Sequence, residues 1–346
     1  MEPGRNADRE VYAMKHDADG LRSIASTLLH DYGAPLPHAA LQAELLIEAE
    51  MRGLPSHGLQ RLPRLLARID AGLADPRSQG VARSVRPGFL AVDGQRGLGP
   101  VVLDAAIEDL LPKARALGMA MAAIRNSNHI GMLAWYVERI AHRGMIGMVM
   151  TTSEALVHPF GGTEAMLGTN PIAIGVPTAD DPFVLDLATS LVSMGKIHHH
   201  ALVNKPIPEG WAVDRDGHPT TDPHAAKDGA LAPFGDAKGY GLGLAVELLV
   251  ATLAGSSFAP EVRGTLDEDE VATKGDVVVV IDPTAAGPSA ALTEYLNRLR
   301  QSRPCDPTRP VSVPGDGMRA RRDVSRDEGI DVPEELYETL LALGRS

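Results

Sequence analysis

Residues 101–152 alternate between helical and extended patterns, and this alternation constrains the fold more than any other feature of the chain. A helix-like run at 101–118 precedes the apolar stretch 119–127, and a second helix-like run at 132–144 precedes the apolar stretch 145–152. Helices of this length alternating with short apolar runs are typical of an α/β layer. Four further segments have strand composition: 89–94, 171–177, 183–187 and 276–282.

Helical spacing of apolar residues marks both ends of the chain. It predicts helices around 21–33, 41–53 and 59–69, with Pro63 in the first turn of the third, and further helices near 286–301 and 333–343. Residues 203–236, rich in Pro, Gly and Asp, are predicted to form a long ordered loop. The predicted division is a polar tail (1–15), a largely helical region (16–75 with 285–346) and an α/β domain (76–284).

The composition narrows the possible partners. A formal net charge of −12 argues against nucleic acid and anionic membranes, which select basic surfaces. The single cysteine, Cys305, excludes an intramolecular disulfide, and residues 1–20 contain no apolar stretch of signal-peptide length. The apolar segment 238–254 carries Lys238 and Glu247, so we expect a buried helix that falls short of a membrane span. By elimination, we expect a cytoplasmic location.

The glycine fingerprint of Rossmann dinucleotide-binding domains is absent. That motif follows a strand and opens a helix, whereas the glycines at 94–99 have the wrong spacing and those at 239–245 lie inside a helical pattern. If the chain binds a dinucleotide, it does so in another way.

Two clusters contain histidine in breaks between predicted elements. Ser56, His57, Gly58 and Arg61 fall between two helices, where a guanidinium could bind a carboxylate and an imidazole could exchange a proton. The alternative is a capping serine with an arginine on the helix surface. His129 lies in the polar run 126–131 after a predicted strand, where α/β folds place ligand-binding groups. The alternative there is an asparagine cap and an incidental histidine.

Two glycine-containing stretches also carry candidate residues. Between 161 and 196, Asp186 follows a strand and could hold a ribose hydroxyl or simply cap a helix. Lys238 opens the apolar helix, where free N–H groups and a lysine suit a pyrophosphate or carboxylate. The run 198–200 is three histidines, but consecutive side chains cannot converge on one ion, so no metal site is predicted.

Taken in order, these clusters resemble the malate/L-lactate dehydrogenase family of the non-Rossmann type, which includes ureidoglycolate dehydrogenase, sulfolactate dehydrogenase and diketogulonate reductase. The matching stretches are 52–64, 126–136, 161–177, 186–196, 207–223 and 238–249, and the match runs from about residue 20 to the C-terminus. The resemblance implies an α/β fold with a non-Rossmann nicotinamide-binding domain over 76–284. It also implies a homodimer, a helical dimerisation and substrate region, and a cofactor near a subunit boundary.

The resemblance also implies roles for individual residues. His129 matches the acid/base histidine of some members and His57 that of others; we favour His129 and keep His57 as the second candidate. Arg61 matches the arginine expected to bind the substrate carboxylate, and Ser56 and Thr169 are expected to contact substrate. The expected cofactor is NAD or NADP, bound by residues at the matched positions: Ser153, Asp186, Leu187, Ala188, Lys238, Gly239, Pro314, Gly315 and Asp316.

The chain departs from the family pattern at four positions that bear on the substrate. Leu65 replaces a frequent tyrosine, Ala237 a larger residue, Ala134 a glycine, and Asp316 a glutamate.

Taken with the resemblance, the sequence predicts hydride transfer between NAD(P)H and a small 2-keto or 2-hydroxy acid such as malate or lactate. A close alternative is reduction of a cyclic imine acid, such as piperideine- or pyrroline-2-carboxylate. A hydrolase using Ser56 with His57 is disfavoured, since adjacent residues rarely aim at each other and no acid partner is evident.

Overall fold

The computed structural model describes residues 13–267, 269–283 and 290–344. The helices are α1 Ala18–Asp31, α2 Leu36–Met51, α3 Leu62–Asp70, α4 Gly99–Leu117, α5 Leu133–His142, α6 Met194–Leu202, α7 Pro223–Lys227, α8 Ala237–Ala254, α9 Ala290–Arg300, α10 Asp316–Glu328 and α11 Glu334–Leu343. The strands are β1 Ala13–His16, β2 Val81–Arg86, β3 Phe89–Gly97, β4 Met119–Ser127, β5 Ile146–Thr151, β6 Ile172–Val176, β7 Phe183–Leu187, β8 Ala212–Val213, β9 Pro219–Thr220, β10 Ala230–Leu231, β11 Gly275–Ile281 and β12 Ile330–Pro333.

A seven-stranded sheet in the order β2-β3-β4-β11-β5-β6-β7 organises the molecule. Only β3 and β4 pair in parallel, joined by the crossover helix α4, and the other neighbours are antiparallel. Because β11 is antiparallel to both β4 and β5, these two strands end at the same edge of the sheet. β7 ends there as well, since β6 is antiparallel to both of its neighbours. We call this edge, where β4, β5 and β7 end, the site edge.

Helices cover both faces of the sheet, and strand β11 shows how the period-2 pattern divides its residues between them. Val278 and Val280 pack in the large core with α4 and α5. Val277 lies on the other face with Val246 and Val250 of α8. The predicted α/β class is thus confirmed, with a sheet whose topology differs from the Rossmann arrangement.

The two ends of the chain share a separate apolar cluster. Leu21, Leu28 and Leu46 of α1 and α2 pack there with Ile330 of β12 and Leu340 of α11. Strand β1, which lies partly within the tail predicted at 1–15, pairs antiparallel with β12, and residues 1–12 lie outside the described residues. This packing supports the proposed pairing of the N- and C-terminal segments, and the domain division itself stays a prediction.

Several sequence predictions need correction. The loop predicted at 203–236 contains β8, β9, α7 and β10, which pack with α6 around Ile197 and Leu231. Helix α10 and strand β2 were not anticipated, because α10 lacks buried residues and β2 is mostly exposed, so neither carries an apolar pattern. Part of the helix predicted at 286–301 lies outside the described residues.

The apolar helix α8 is not buried on all sides. Its inner face packs on the sheet, but Leu248 and Leu249 are about half exposed. At 18 residues and a mean hydropathy of 1.3 it has the length and composition of a membrane span, so the expectation that it falls short is wrong. Only this helix among the described residues meets that test, which core helices of soluble proteins also pass.

Candidate active site

The turn between α2 and α3 carries the first histidine and its arginine. Two 3₁₀ turns, Pro55–His57 and Leu59–Arg61, are separated at Gly58, whose ψ of −146° interrupts the helical path. Ser56 Oγ and His57 Nδ1 lie 3.0 Å apart. Arg61 folds back so that its Nε donates to the Ser56 carbonyl at 2.8 Å and its Nη1 to the Thr265 carbonyl at 3.0 Å. The side chains of His57 and Arg61 are therefore held in fixed orientations.

His129 lies two residues after β4, at the site edge, and its ring lies near that of His57. Gly131 has φ of +71°, and its backbone N–H donates to His129 Nδ1 at 3.1 Å. This bond fixes the lone pair on Nδ1, so the neutral ring carries its proton on Nε2. The rings of His57 and His129 have centroids 5.7 Å apart. Histidines that are 72 positions apart in the chain thus face each other.

One cavity of about 40 Å³ brings these groups together. Its lining includes His57, His129 and Arg61, together with two further arginines of α3, Arg64 and Arg68. The remaining described residues of the lining are Gln42, Leu45, Leu46, Leu65, Asn128, Gly131, Gly264 and Thr265. The enclosed part of the cavity has room for a few water molecules.

Burial and neighbouring cations keep the site histidines neutral. Burial, assisted by the Arg61 guanidinium, lowers the pKa of His57 to about 4. Burial lowers the pKa of His129 well below its ordinary value, with smaller contributions from Arg61, His57 and Lys274. Burial and the adjacent Arg64 lower the pKa of Arg61 to about 10, which still leaves it charged at neutral pH. An anion that entered the cavity would offset this concentration of positive charge.

Other predicted residues lie along the site edge, outside the lining of the cavity. Ser153 follows β5, and its Oγ accepts from the Thr169 N–H at 3.0 Å. The Thr169 carbonyl in turn accepts from the N–H and hydroxyl of Thr189, beyond the end of β7. Helix α8 packs tightly here, because a Cβ on Gly243 would lie 2.7 Å from Thr189 Oγ1. The Phe234 N–H, just before α8, donates to the Thr189 carbonyl at 3.1 Å, so the first turn of α8, with Lys238 and Gly239, begins near the site edge.

Two acidic residues predicted to bind cofactor are engaged within the protein. Asp186 Oδ2 accepts from the Ala134 N–H at 2.7 Å and so caps helix α5, while burial raises the pKa of Asp186 to about 6. Asp316, which follows Pro314 and Gly315, is held by Arg300 and Arg319 at 2.7–2.9 Å. Gly315 lies against Val184, in the first half of β7, and not at the site edge. These residues fix α5 and α10 against the sheet.

Sequence reasoning missed several residues of the site. Arg64 and Arg68 could have been found, because their spacing from Arg61 places all three on one face of a helix. The fully buried Lys274–Asp276 pair, at the start of β11, and Thr265 lie in segments that carry no motif.

Two weaker interpretations can also be compared with the structure. The expectation that adjacent Ser56 and His57 would not aim at each other is wrong, since they are hydrogen bonded, yet no described carboxylate bonds to His57 to complete a hydrolase triad. In the described chain, the His/Cys/Asp/Glu group that could hold a metal is Asp214, Asp216 and His218. Asp214 there accepts backbone N–H bonds within an exposed turn, so it serves that turn.

Comparison with known proteins assigns the chain to a family. A family model described as malate/L-lactate dehydrogenase matches residues 16–341. The chain is 36% identical over 323 residues to L-sulfolactate dehydrogenase of Methanocaldococcus jannaschii, covering 92% of this chain and 93% of that protein. The chain belongs to the malate/L-lactate dehydrogenase family. The resemblance carried by the sequence motifs is therefore confirmed, and the protein is an NAD(P)-dependent hydroxy-acid dehydrogenase.

A solved structure and a second relative are also similar to this malate/L-lactate dehydrogenase family member. The crystal structure of a dehydrogenase from Sinorhizobium meliloti superposes with a TM-score of 0.93 at 60% identity, covering 96% of this chain and 98% of that one. A Pseudomonas aeruginosa protein named Δ1-pyrroline-2-carboxylate/Δ1-piperideine-2-carboxylate reductase is 34% identical over 330 residues, covering 94% of this chain and 98% of that protein.

The groups at the site edge fit part of a nicotinamide dinucleotide. The N-cap residue of α8, Asp236, makes no side-chain bond to the first turn, and a Cβ on Gly241 would meet nothing within 4 Å. An exposed lysine at a helix N-terminus suits a pyrophosphate, so Lys238 would hold that group through its side chain, whereas the buried Gly239 fits it less well because its N–H already donates to the Phe234 carbonyl at 2.9 Å. Asp186 and Asp316 fit a ribose less well, because their carboxylates already have protein partners.

Proposed function

We propose that the protein interconverts a 2-keto acid and its 2-hydroxy acid, with a substrate that carries a second anionic group. The observation that carries this proposal is the shared cavity of His57, His129 and Arg61. Bound NAD(P)H would supply hydride to the carbonyl carbon, and the oxidised form would remove it. The protein's own residues must then hold the carboxylate, stabilise the charge on oxygen and move one proton.

Hydrogen bonding favours His57 as the residue that moves the proton, the reverse of the preference drawn from sequence. The Ser56 hydroxyl can either donate to or accept from His57 Nδ1, so this bond survives in both protonation states of the ring. The Gly131 amide can only donate, so protonating Nδ1 of His129 would set two N–H groups against each other. His129 thus remains neutral and donates from Nε2 to the substrate oxygen, while His57 gives that oxygen its proton.

The three arginines favour a doubly anionic acid. Arg61 would bind the carboxylate next to the reacting carbon, and Arg64, one turn further along, would face a second anionic group. Arg68 adds positive charge to the cavity wall, while its Nε and Nη1 already donate to Asn128 Oδ1 and to the Asp267 carbonyl. Two relatives are named for acids of this kind, the L-sulfolactate dehydrogenase of Methanocaldococcus jannaschii and the malate dehydrogenase of Pyrococcus horikoshii. The second candidate is a cyclic imine acid, because Leu45, Leu46 and Leu65 provide an apolar wall that suits ring methylenes.

A binding assay followed by a substrate panel tests this function. NADH or NADPH should raise the thermal midpoint of the pure protein. Oxaloacetate or sulfopyruvate should then be reduced with a kcat/KM at least about 10-fold above that of pyruvate, since one more charge-assisted hydrogen bond is worth roughly 1.5–3 kcal/mol. Equal rates with pyruvate would remove the second anion site. Faster reduction of piperideine-2-carboxylate would establish the alternative, and no affinity for either dinucleotide would end the proposal.

We also propose that α8 forms the contact of a homodimer. Its outer face exposes Leu242, Leu248 and Leu249 by 37–50%, an apolar stripe that one helix can present to the same helix of a second copy. The same helix carries Lys238, which agrees with the cofactor position near a subunit boundary that the family resemblance implies.

Light scattering after size exclusion tests this contact. The wild type should have twice the chain mass of 36.6 kDa, and the Leu248→Lys, Leu249→Lys variant should have the single mass. Leu202→Lys on α6, which is 74% exposed, is the matched control and should stay dimeric. A monomeric wild type, or a dimer that survives the double substitution, contradicts the proposal.

A further inference from the structure

The break at Gly58 leaves one buried backbone amide without a helical partner. The Gly58 N–H closes the first 3₁₀ turn on the Pro55 carbonyl, and the Arg61 N–H opens the second on the Gly58 carbonyl. Between them, the Leu59 N–H has no carbonyl to pair with, and Leu59 is fully buried. A buried amide of this kind needs an acceptor, since water cannot reach it.

Glu50 of α2 supplies that acceptor. Its Oε1 accepts from the Leu59 N–H at 2.6 Å. The carboxyl group fills the hollow left by the missing side chain of Gly58, because a Cβ there would lie 2.2 Å from Oε1. Burial raises the pKa of Glu50 to about 7, so the group is readily neutral and acts here as a hydrogen-bond acceptor.

The hydrogen bond from the Leu59 N–H to Glu50 matters because residues of the cavity flank the break at Gly58. His57 precedes the break and Arg61 follows it, and both line the cavity. A continuous 3₁₀ helix through 55–61 would satisfy the Leu59 N–H with a main-chain carbonyl, but it would also rotate His57 relative to Arg61. An acceptor outside the turn is therefore what allows the interrupted path to persist.

We propose that Glu50 is a positioning residue, which holds the break at Gly58 through the Leu59 N–H and so sets His57 and Arg61 at their working separation. This inference rests on the proposed function of those two residues. The inference assigns Glu50 no contact with substrate. The protein requires at position 50 an acceptor oxygen that can reach the Leu59 N–H, and this oxygen need not be charged.

The test compares Glu50→Ala with Glu50→Gln. The alanine variant should lose 10- to 100-fold in kcat with less than about threefold change in the affinity for NADH or NADPH, because the cofactor groups lie elsewhere. The glutamine variant should keep kcat within about threefold of the wild type, since its amide oxygen reaches the same N–H. Glu44→Ala, six residues earlier on α2, is the control and should keep wild-type kcat.

A crystal structure of Glu50→Ala separates this inference from the proposed function. A continuous 3₁₀ path, with the Leu59 N–H on a main-chain carbonyl, supports it even if no substrate is turned over by the wild type. An unchanged break, or a glutamine variant as slow as the alanine variant, overturns it. If the alanine variant does not fold, Gly58→Ala takes its place, since its Cβ displaces the same carboxyl; unchanged kcat in that variant also overturns the inference.

Discussion

Replacing His57 by alanine is expected to lower kcat at least about 100-fold, the scale of general acid–base catalysis. The effect is large because His57 alone can change protonation state while keeping its bond to Ser56. Reduction needs the protonated ring, and the pKa of His57 in the free protein is about 4. The wild-type kcat/KM for reduction should therefore fall as pH rises through the neutral range, and His57→Ala should lose that dependence. Initial rates across pH measure both.

The matched control for this prediction is the other histidine. His129→Gln keeps an N–H donor in the cavity and should retain more activity than His129→Ala, because the proposed role of His129 is donation from a neutral ring. If His129→Ala abolishes the pH dependence while His57→Ala preserves it, the assignment is reversed and the preference drawn from the sequence is right.

Replacing Glu48 by alanine is expected to reduce the free energy of unfolding by roughly 3 kcal/mol, as for other broken buried ion pairs. Glu48 is 4% exposed at its side chain and accepts from Arg52 and Arg322, which ties α2 to α10. Without it, Arg52 keeps Glu138, so the loss should fall near the lower end of the usual range. Urea unfolding at pH 7 measures the difference. Glu44→Ala, whose carboxylate is 42% exposed beside Arg22, should change the free energy of unfolding by less than about 1 kcal/mol.

The Glu48 contribution should also depend on pH in one direction. Burial acts to raise the pKa of Glu48, but hydrogen bonds from Arg322 and Arg52 outweigh it, and the folded-state pKa lies below the ordinary 4.5. The stabilisation is therefore complete above about pH 4.5 and disappears as the pH falls through the folded-state value. A difference between wild type and Glu48→Ala that grows on acidification would contradict this assignment.

The sequence predicted local elements well wherever one periodicity dominated. The strands at 119–127 and 183–187 have the predicted bounds, because continuous apolar runs between helices have few other solutions in an α/β layer. Prediction from sequence failed for elements with few buried residues and for a helix whose residues are apolar on all sides. Helix α10 has no buried residue and was missed, and α8 was expected to be buried although one face is open.

Some residues of the candidate site could likewise be predicted from the sequence, and others could not. The motifs identified His57, Arg61 and His129 individually, and the spacing of Arg64 and Arg68 after Arg61 was readable. Glu50 and Lys274 carried no signal, because neither lies in a motif and the contact of Glu50 with the Leu59 N–H forms only on folding. Asp186 and Asp316 were assigned from the resemblance as cofactor residues, and the structure shows them bonded to α5 and to two arginines.

The amino-acid sequence by itself determined the family, the α/β class and which side chains can carry the chemistry, because motifs and periodicity depend only on neighbours along the chain. The tertiary structure decided that neutral His129 carries its proton on Nε2, and it left His57 able to keep its bond to Ser56 in either protonation state. That depends on whether the partner is a hydroxyl, which donates and accepts, or an amide, which only donates. Ser56 and Gly131 are chain neighbours of those two rings, so both contacts are local, whereas only folding placed the two histidines, 72 positions apart, with their ring centroids 5.7 Å from each other in one cavity.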